Sequence, residues 1–168
     1  MNVTFEAFGP VTQPKAMKPG KCKILLVDDD PAIRQILQRL LEEEDYLVLT
    51  AANGVEALEL AKVTKFDLVL LDLNMPFKDG WETFKQFSTK NPLLPIILIT
   101  ARPNQFFHAL ASGVGALLEK PLDFVKLFHT IRDLLEEPAE FRQARIFGQP
   151  TNFHYVPPKV MQYENPAG

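Results

Sequence analysis

Five short, almost wholly apolar runs alternate in the middle of the chain with segments whose apolar residues recur at helical spacing. Such runs are typical of strands buried on both faces of a parallel sheet. They lie at 23–28, 46–51, 67–72, 95–100 and 116–118. Successive parallel strands need a crossover connection, usually a helix, and the alternation supplies one each time. The sequence therefore predicts an α/β fold with a doubly wound, five-stranded parallel sheet, five helices and right-handed crossovers.

Helix-start and helix-end signals fall between these runs. Asp30-Pro31 combines an N-cap residue with proline at the first helical position, and Asn53-Gly54 predicts the start of the second helix. The segment from Phe106 to Gly113 predicts a short fourth helix that glycine ends.

Polar side chains stand at the carboxyl ends of four predicted strands. They are Asp28 and Asp29 after the first strand, Asp72 at the end of the third, Thr100 at the end of the fourth and Lys120 after the fifth. Ligands of doubly wound sheets bind at this edge. Clustered carboxylates repel one another unless a cation intervenes, and oxygen ligands suit Mg²⁺. A carboxylate beside Mg²⁺ can attack phosphorus, and a hydroxyl and an ammonium can then hold the phosphoryl oxygens.

Each of these residues also has a plainer interpretation. An aspartate after a strand often only caps the next helix, as we expect for Asp30, and Lys120 by itself reads as a solvated lysine. The combination of two acidic strand ends with a hydroxyl and an amine favours a site.

Composition excludes several classes of protein. The formal charge of −3 argues against a general nucleic-acid coat. The single cysteine, Cys22, permits no intrachain disulfide, which suits a reducing compartment. No apolar run approaches the ~20 residues of a membrane span, and the first residues do not resemble a signal peptide. We therefore expect a cytoplasmic protein without membrane contact.

Four motifs resemble the receiver domain of two-component response regulators over about 22–137. They are Leu25-Leu26-Val27-Asp28-Asp29-Asp30, Leu70-Leu71-Asp72-Leu73-Asn74-Met75-Pro76 with Asp79-Gly80, Ile99-Thr100-Ala101, and Glu119-Lys120-Pro121. The resemblance implies a flavodoxin-like sheet of order 2-1-3-4-5. It implies a phosphorylated signalling protein rather than an enzyme, limited to phosphoryl acceptance and slow autodephosphorylation.

The resemblance also assigns roles to the residues at the strand ends. Asp72 would accept a phosphoryl group from a sensor histidine kinase or a phosphotransfer protein. Mg²⁺ would be held by Asp28, Asp29, Asp72 and the backbone carbonyl of Asn74. Thr100 and Lys120 would bind the phosphoryl oxygens, Thr100 by moving toward them after phosphorylation.

Three features depart from the family pattern. The spacing from Thr100 to Lys120 is slightly shorter than is common, which predicts a shortened fourth-helix region. Leu117 occupies the strand position that often carries a switching tyrosine or phenylalanine. Arg102, at the rim of the expected pocket, either contacts the phosphoryl group or is solvated.

Proline-rich extensions flank the receiver-like stretch, at 1–21 and 138–168. The C-terminal extension is too short for a usual DNA-reading module or an enzyme domain, so we expect a stand-alone receiver without direct DNA binding. Its aromatic residues predict a short helix over 140–147 and an extended segment over 153–158, docked on the receiver itself or on a partner. The alternative is a disordered tail. A homodimer remains open, and the sequence names no downstream protein.

Two rival functions use some of the same residues. Asp28-x-Asp30 superficially fits the nucleophile motif of aspartate-based phosphohydrolases, but Asp72-Leu73-Asn74 would then be unexplained. The other rival is a scaffold on the receiver fold that is never phosphorylated. A flavin site is disfavoured because this edge is acidic and lacks a phosphate-binding loop.

Overall fold

A computed structural model describes residues 20–76, 80–149 and 152–160 of the chain. These residues form one parallel sheet of six strands in the order β2-β1-β3-β4-β5-β6. The strands are β1 Lys23–Val27, β2 Leu47–Ala51, β3 Leu68–Asp72, β4 Ile96–Thr100, β5 Ala116–Glu119 and β6 His154–Val156. The helices are α1 Pro31–Glu43, α2 Gly54–Val63, α3 Gly80–Lys90, α4 Phe106–Ser112, α5 Phe124–Glu136 and α6 Ala139–Ile146. The predicted doubly wound sheet of order 2-1-3-4-5 is confirmed, and β6 and α6 are added to it.

Apolar side chains fill both faces of the sheet, as the continuous apolar runs predict. In β1, Leu25 and Val27 face the core layer shared with α2, α3 and α4, whereas Ile24 and Leu26 face the layer shared with α1 and α5. All four are fully buried. Since neither face of the central strands meets water, the sheet is a rigid base for the residues at its edge.

The predicted caps fix where two helices begin beside that edge. The Asp30 carboxylate accepts hydrogen bonds from the backbone N–H groups of Ala32 and Ile33, and the Asn53 side chain accepts one from Glu56. The fourth helix is the shortest in the described part of the chain and ends at Gly113, whose positive φ of 75° suits glycine.

The C-terminal segment docks on the same chain. Its helix and its extended segment lie close to the predicted ranges, as α6 and β6, and β6 joins the sheet beside β5. The Arg145 guanidinium makes a bidentate ion pair with Glu137, and both side chains are almost fully buried. The adjoining Arg142 donates to the backbone carbonyl of Leu134 at 2.8 Å. Strand pairing and contacts of charged side chains therefore attach this segment to the receiver-like part.

Within the described ranges, no helix combines the length and the apolar character that a membrane crossing requires. The extension at 1–21 lies almost wholly outside the described residues.

Candidate functional site

Two adjacent strands bring three carboxylates together at the carboxyl edge of the sheet. Val27 and Leu71 are paired in the β1–β3 register, so Asp28 and Asp72 follow side by side. One oxygen from each of Asp28, Asp29 and Asp72 can be chosen so that all three lie within 4.8 Å of one another. Asp28 and Asp72 are buried, with 1% and 2% exposure, whereas Asp29 is exposed. The predicted acidic cluster is therefore present, with one member open to solvent.

Both the carboxylate and the backbone carbonyl of Asp28 accept hydrogen bonds. Its Oδ1 accepts the backbone N–H of Asp30 at 2.9 Å, and its backbone carbonyl accepts a hydrogen bond from the Arg34 guanidinium at 2.6 Å. Burial raises the pKa of the Asp28 carboxyl, and the nearby Asp72 charge raises it further, against the opposing Asp30 hydrogen bond and Lys120. A cation that neutralises this buried carboxylate would be stabilising.

Lys120 supplies a single positive charge to the cluster. Its Nζ lies 3.0 Å from Asp72 Oδ2 and 3.4 Å from Asp28 Oδ2. Burial lowers the pKa of Lys120, but the two carboxylates outweigh it and the net pKa is raised, so the ammonium stays charged at neutral pH. The Lys120–Pro121 peptide bond is cis.

A group of hydrogen bonds around Asn74 links the third and fourth strands. The Asn74 backbone N–H donates to Asp72 Oδ1 at 2.8 Å. The Asn74 side-chain oxygen accepts from the Thr100 hydroxyl at 3.2 Å and from the Ala101 N–H at 2.9 Å. Thr100 is fully buried, and its hydroxyl oxygen accepts the N–H of Arg102 at 3.0 Å. Two donors, Thr100 and Ala101, thus share one acceptor beside Asp72.

Sequence reasoning singled out Asn74 only for its backbone carbonyl and missed the role of its side chain. No local pattern predicts that an amide oxygen after β3 will accept two hydrogen bonds from β4. The adjacency of β3 and β4 was the available signal, because it places these residues at the same edge.

Arg102 and Leu117 are the other predicted site residues. Arg102 is exposed. Leu117 is fully buried in β5, within the core layer of α2, α3 and α4, and its register partner is Tyr155 of β6. Asp79, part of the motif after β3, lies outside the described residues.

The donor set fits a hard divalent cation. Three carboxylates face one ammonium, which leaves an excess of negative charge in a largely buried place. All the available ligand atoms are oxygens, which Mg²⁺ prefers over nitrogen and sulfur. The arrangement is typical of a Mg²⁺ site. Chemically, it can hold a cation beside a carboxylate and present an ammonium and two hydrogen-bond donors around it.

A protein-family model described as the response regulator receiver domain matches residues 24–132. The transcriptional regulatory protein ZraR of Klebsiella oxytoca is 42% identical over 140 residues, which cover 79% of this chain and 32% of ZraR. The alkaline phosphatase synthesis transcriptional regulatory protein PhoP of Bacillus subtilis is 42% identical over 94 residues, covering 56% of this chain and 39% of PhoP. The chain spans about a third of the length of these relatives.

Solved structures of response regulators superpose on this chain. A CheY-like response regulator receiver domain protein from Methanospirillum hungatei superposes with a TM-score of 0.68 at 30% identity, covering 72% of this chain and 98% of that one. The response regulator TrrA of Thermotoga maritima, in complex with Mg²⁺ and beryllium fluoride, superposes with a TM-score of 0.63 at 34% identity. That match covers 67% of this chain and 98% of TrrA.

Proposed function

The chain belongs to the response regulator receiver family of two-component systems, and we propose that Asp72 accepts a phosphoryl group in a Mg²⁺-dependent reaction. The observation that carries this proposal is the position of Lys120, whose ammonium lies 3.0 Å from Asp72 beside the Asp28 and Asp29 carboxylates. The donor would be a sensor histidine kinase or a phosphotransfer protein, since a receiver domain implies a histidine kinase partner.

Asp72 is the nucleophile in this proposal. One of its carboxylate oxygens attacks the phosphorus, a new oxygen–phosphorus bond forms, and the bond from phosphorus to the donor's imidazole nitrogen breaks. The electron pair of that bond leaves with the imidazole. Because Asp72 is held by the Asn74 N–H and Lys120, its carboxylate is oriented before the donor arrives.

Charge neutralisation is the second requirement, because an anionic carboxylate must approach an anionic phosphoryl group. Asp28, Asp29, Asp72 and the Asn74 backbone carbonyl would hold Mg²⁺, which supplies positive charge to the phosphoryl oxygens when bound. Lys120 adds the ammonium from the end of β5, at the same edge of the sheet. With this charge in place, positioning accounts for most of the rate.

Thr100 and Ala101 supply the donors for the phosphorylated state. In the present structure both donate to the Asn74 side chain. The phosphoryl oxygens are stronger acceptors than an amide oxygen, because they carry negative charge. We propose that these two groups turn toward the phosphorylated Asp72 and thereby change the surface that a downstream protein contacts.

We further propose that residues 22–137 are the receiver unit and that 1–21 and 138–168 are extensions of it. The docked α6 and β6 favour an extension that belongs to the receiver over a loose tail. The output of the unit would be a protein contact, in which a second copy of the chain is one candidate partner.

Labelling with acetyl phosphate tests the phosphoryl acceptor. We expect Mg²⁺-dependent labelling of the wild-type chain that disappears in Asp72→Asn, and normal labelling of Asp133→Asn, a control at an exposed aspartate. Label that persists in Asp72→Asn and is lost only in Asp28→Asn would support the phosphohydrolase. If the wild-type chain shows no labelling from acetyl phosphate or a phosphorylated kinase, the scaffold is the better interpretation.

A further inference from the structure

Strand β6 contacts the end of β5, which is itself paired with the end of β4. The Tyr155 hydroxyl donates to Glu119 Oε1 at 3.1 Å, and Glu119 immediately precedes Lys120. Glu119 is also the register partner of Thr100, and the Lys120 N–H donates to the Thr100 carbonyl at 2.8 Å. Through Glu119, Tyr155 is therefore linked to Lys120, the next residue in the chain, and to Thr100, the register partner of Glu119.

A second connection passes through the loop after β4. The loop starts at Ala101, whose N–H donates to Asn74, and it ends at Gln105, directly before Phe106, the first residue of α4. Phe106 makes edge-to-face contacts with Phe153 and Tyr155, with ring centroids 5.7 Å and 5.0 Å apart. We call Phe106, Phe153 and Tyr155 the aromatic cluster. Edge-to-face pairs of this kind each contribute a modest attraction beyond their buried area.

Helix α4 has few stabilising features of its own. It has seven residues, Gln105 gives it no side-chain cap, and its first turn has no acidic residue. An isolated helix of this length is not stable in water, so α4 depends on its tertiary contacts. The aromatic cluster supplies several of those contacts, together with the stacked rings of Trp81 and His108.

The other end of the C-terminal segment is firmly anchored. Arg145 and Glu137 form a buried bidentate ion pair. Gly113 packs closely against the backbone of Arg145, since a Cβ added at Gly113 would lie 3.1 Å from the Arg145 carbonyl oxygen. Strand β6 has only three residues and pairs with β5 alone within the described sheet. Helix α4 contacts both α6 and β6, and β6 is the more easily displaced of the two because the ion pair fixes α6.

We propose that the aromatic cluster holds the loop after β4 in its unphosphorylated position, and that β6 thereby opposes phosphorylation of Asp72. This inference rests on the proposed phosphoryl acceptance by Asp72. When Thr100 and Ala101 leave Asn74 for the phosphoryl oxygens, the five-residue loop shifts toward Asp72 and Phe106 separates from Tyr155. Tyr155 is a positioning residue in this scheme, because it acts on the site through the contact of its ring with Phe106.

Thermodynamic linkage gives a way to test this proposal. If phosphorylation weakens the contacts of the aromatic cluster, a variant that lacks these contacts must favour the phosphorylated state by the same factor in the equilibrium constant. The probe is beryllium fluoride with Mg²⁺, the pair present in the TrrA structure, added to the full chain. Trp81, the only tryptophan, reports binding by fluorescence because its Nε1–H donates to Gln105 in this loop at 3.0 Å. Hydrogen exchange of the amides at 152–156 reports β6.

We expect beryllium fluoride to speed exchange at 152–156 in the wild-type chain, and Tyr155→Ala to bind the probe about fivefold more tightly. Tyr155→Phe, which keeps the ring contact with Phe106, should restore affinity to nearly the wild-type value. Phe147→Ala, a control at an exposed residue of the same segment, should bind as the wild type does.

Equal or weaker binding by Tyr155→Ala, or unchanged exchange in the wild-type chain on binding, would overturn the role of the cluster while leaving phosphoryl acceptance intact. If the wild-type chain does not bind the probe at all, the proposed function fails, and the inference fails with it. The exchange measurement needs no variant, so it decides the question even where Tyr155→Ala disturbs folding.

Discussion

The Lys120 ammonium lies 3.0 Å from the Asp72 carboxylate although the two residues are 48 positions apart in the chain. They meet because β3 and β5 flank β4 in a parallel sheet, so all three strands end at the same edge. Lys120 also contacts Asp28 at 3.4 Å, so one ammonium serves two buried carboxylates. In the absence of a divalent cation it is the main charge that opposes their repulsion.

Replacing Lys120 with methionine should separate cation binding from phosphorylation. We expect Lys120→Met to bind Mg²⁺ severalfold more tightly, because a competing positive charge is removed from the carboxylates. Labelling by acetyl phosphate should fall by at least tenfold, because the ammonium no longer stabilises the phosphoryl oxygens. Isothermal titration and labelling rates measure the two effects, with Lys126→Met as the control at an exposed lysine. Weaker Mg²⁺ binding in Lys120→Met would contradict this account.

Mg²⁺ should stabilise the folded chain through the acidic cluster. At 100 times its dissociation constant, a ligand that binds only the native state adds about 2.7 kcal/mol to the free energy of unfolding. Asp28→Asn removes a nearly buried charge without changing the size of the side chain, so we expect it to raise the melting temperature measured in EDTA. The same variant should lose most of the Mg²⁺-dependent gain. A full Mg²⁺ response in Asp28→Asn would remove Asp28 from the ligand set.

The sequence predicts the parts of this molecule that are governed by local chemistry. The strands of the central sheet are recognisable in the sequence as apolar runs, because both faces of the sheet are buried. Asp30 and Asn53 are recognisable as helix caps, because their side chains accept hydrogen bonds from backbone N–H groups in the first turn of the helix. The meeting of Asp28, Asp72 and Lys120 follows from the topology rather than from any single motif. The order of the strands came with the family resemblance.

The features that the sequence could not predict depend on tertiary packing. Residues 154–156 give no strand signal strong enough to fix their partner, and pairing with β5 became possible because that edge was open. The Asn74 side chain bridges to Thr100 for a similar reason: the acceptor and the donor are 26 positions apart, and only the adjacency of β3 and β4 joins them.

The only cysteine should react slowly with thiol reagents. Burial raises the pKa of Cys22 above its ordinary value, and the neighbouring Asp67 charge raises it further. The midpoint of the alkylation rate should therefore lie at a higher pH in the native chain than in the unfolded chain. The unfolded chain in denaturant is the matched control.

The same shift affects stability with a definite sign. Because native Cys22 holds its proton more tightly than unfolded Cys22, its contribution to stability is present below the pKa of the unfolded thiol and is lost as the pH rises through the native pKa. A native midpoint at or below that of the unfolded chain would contradict the half-buried environment of Cys22.

Gly80 should be essential to the backbone beside Asp72. A Cβ at this position would lie 2.5 Å from the Leu73 Cα and 2.6 Å from the Asp72 carbonyl oxygen. Backbone atoms cannot move aside as a flexible side chain can, so Gly80→Ala must displace the start of α3 or the end of β3. We expect lower stability, by about 1–3 kcal/mol, and a labelling rate reduced further than this loss explains. Glu82→Ala, on the exposed side of the same helix, should leave both quantities nearly unchanged.

The ion pair between Arg145 and Glu137 should decide whether the C-terminal segment is part of the folded unit. Both side chains are at most 7% exposed, and removal of one partner from a buried pair leaves an uncompensated charge that costs about 3–5 kcal/mol. Arg142 Nε also lies 3.5 Å from Glu137 Oε2 and still compensates part of its charge, so we expect Arg145→Met to lower the free energy of unfolding in urea by less than this. The double variant Arg145→Met with Glu137→Leu should recover only part of it, because Arg142, whose side chain is 19% exposed, then loses its own ion pair with Glu137. Arg39→Met breaks a pair between exposed side chains and should cost less than about 0.5 kcal/mol. A wild-type unfolding midpoint for Arg145→Met would show that the ion pair contributes nothing to stability. Equal rates of proteolysis of residues 138–160 in the two proteins would show that the pair does not anchor the segment.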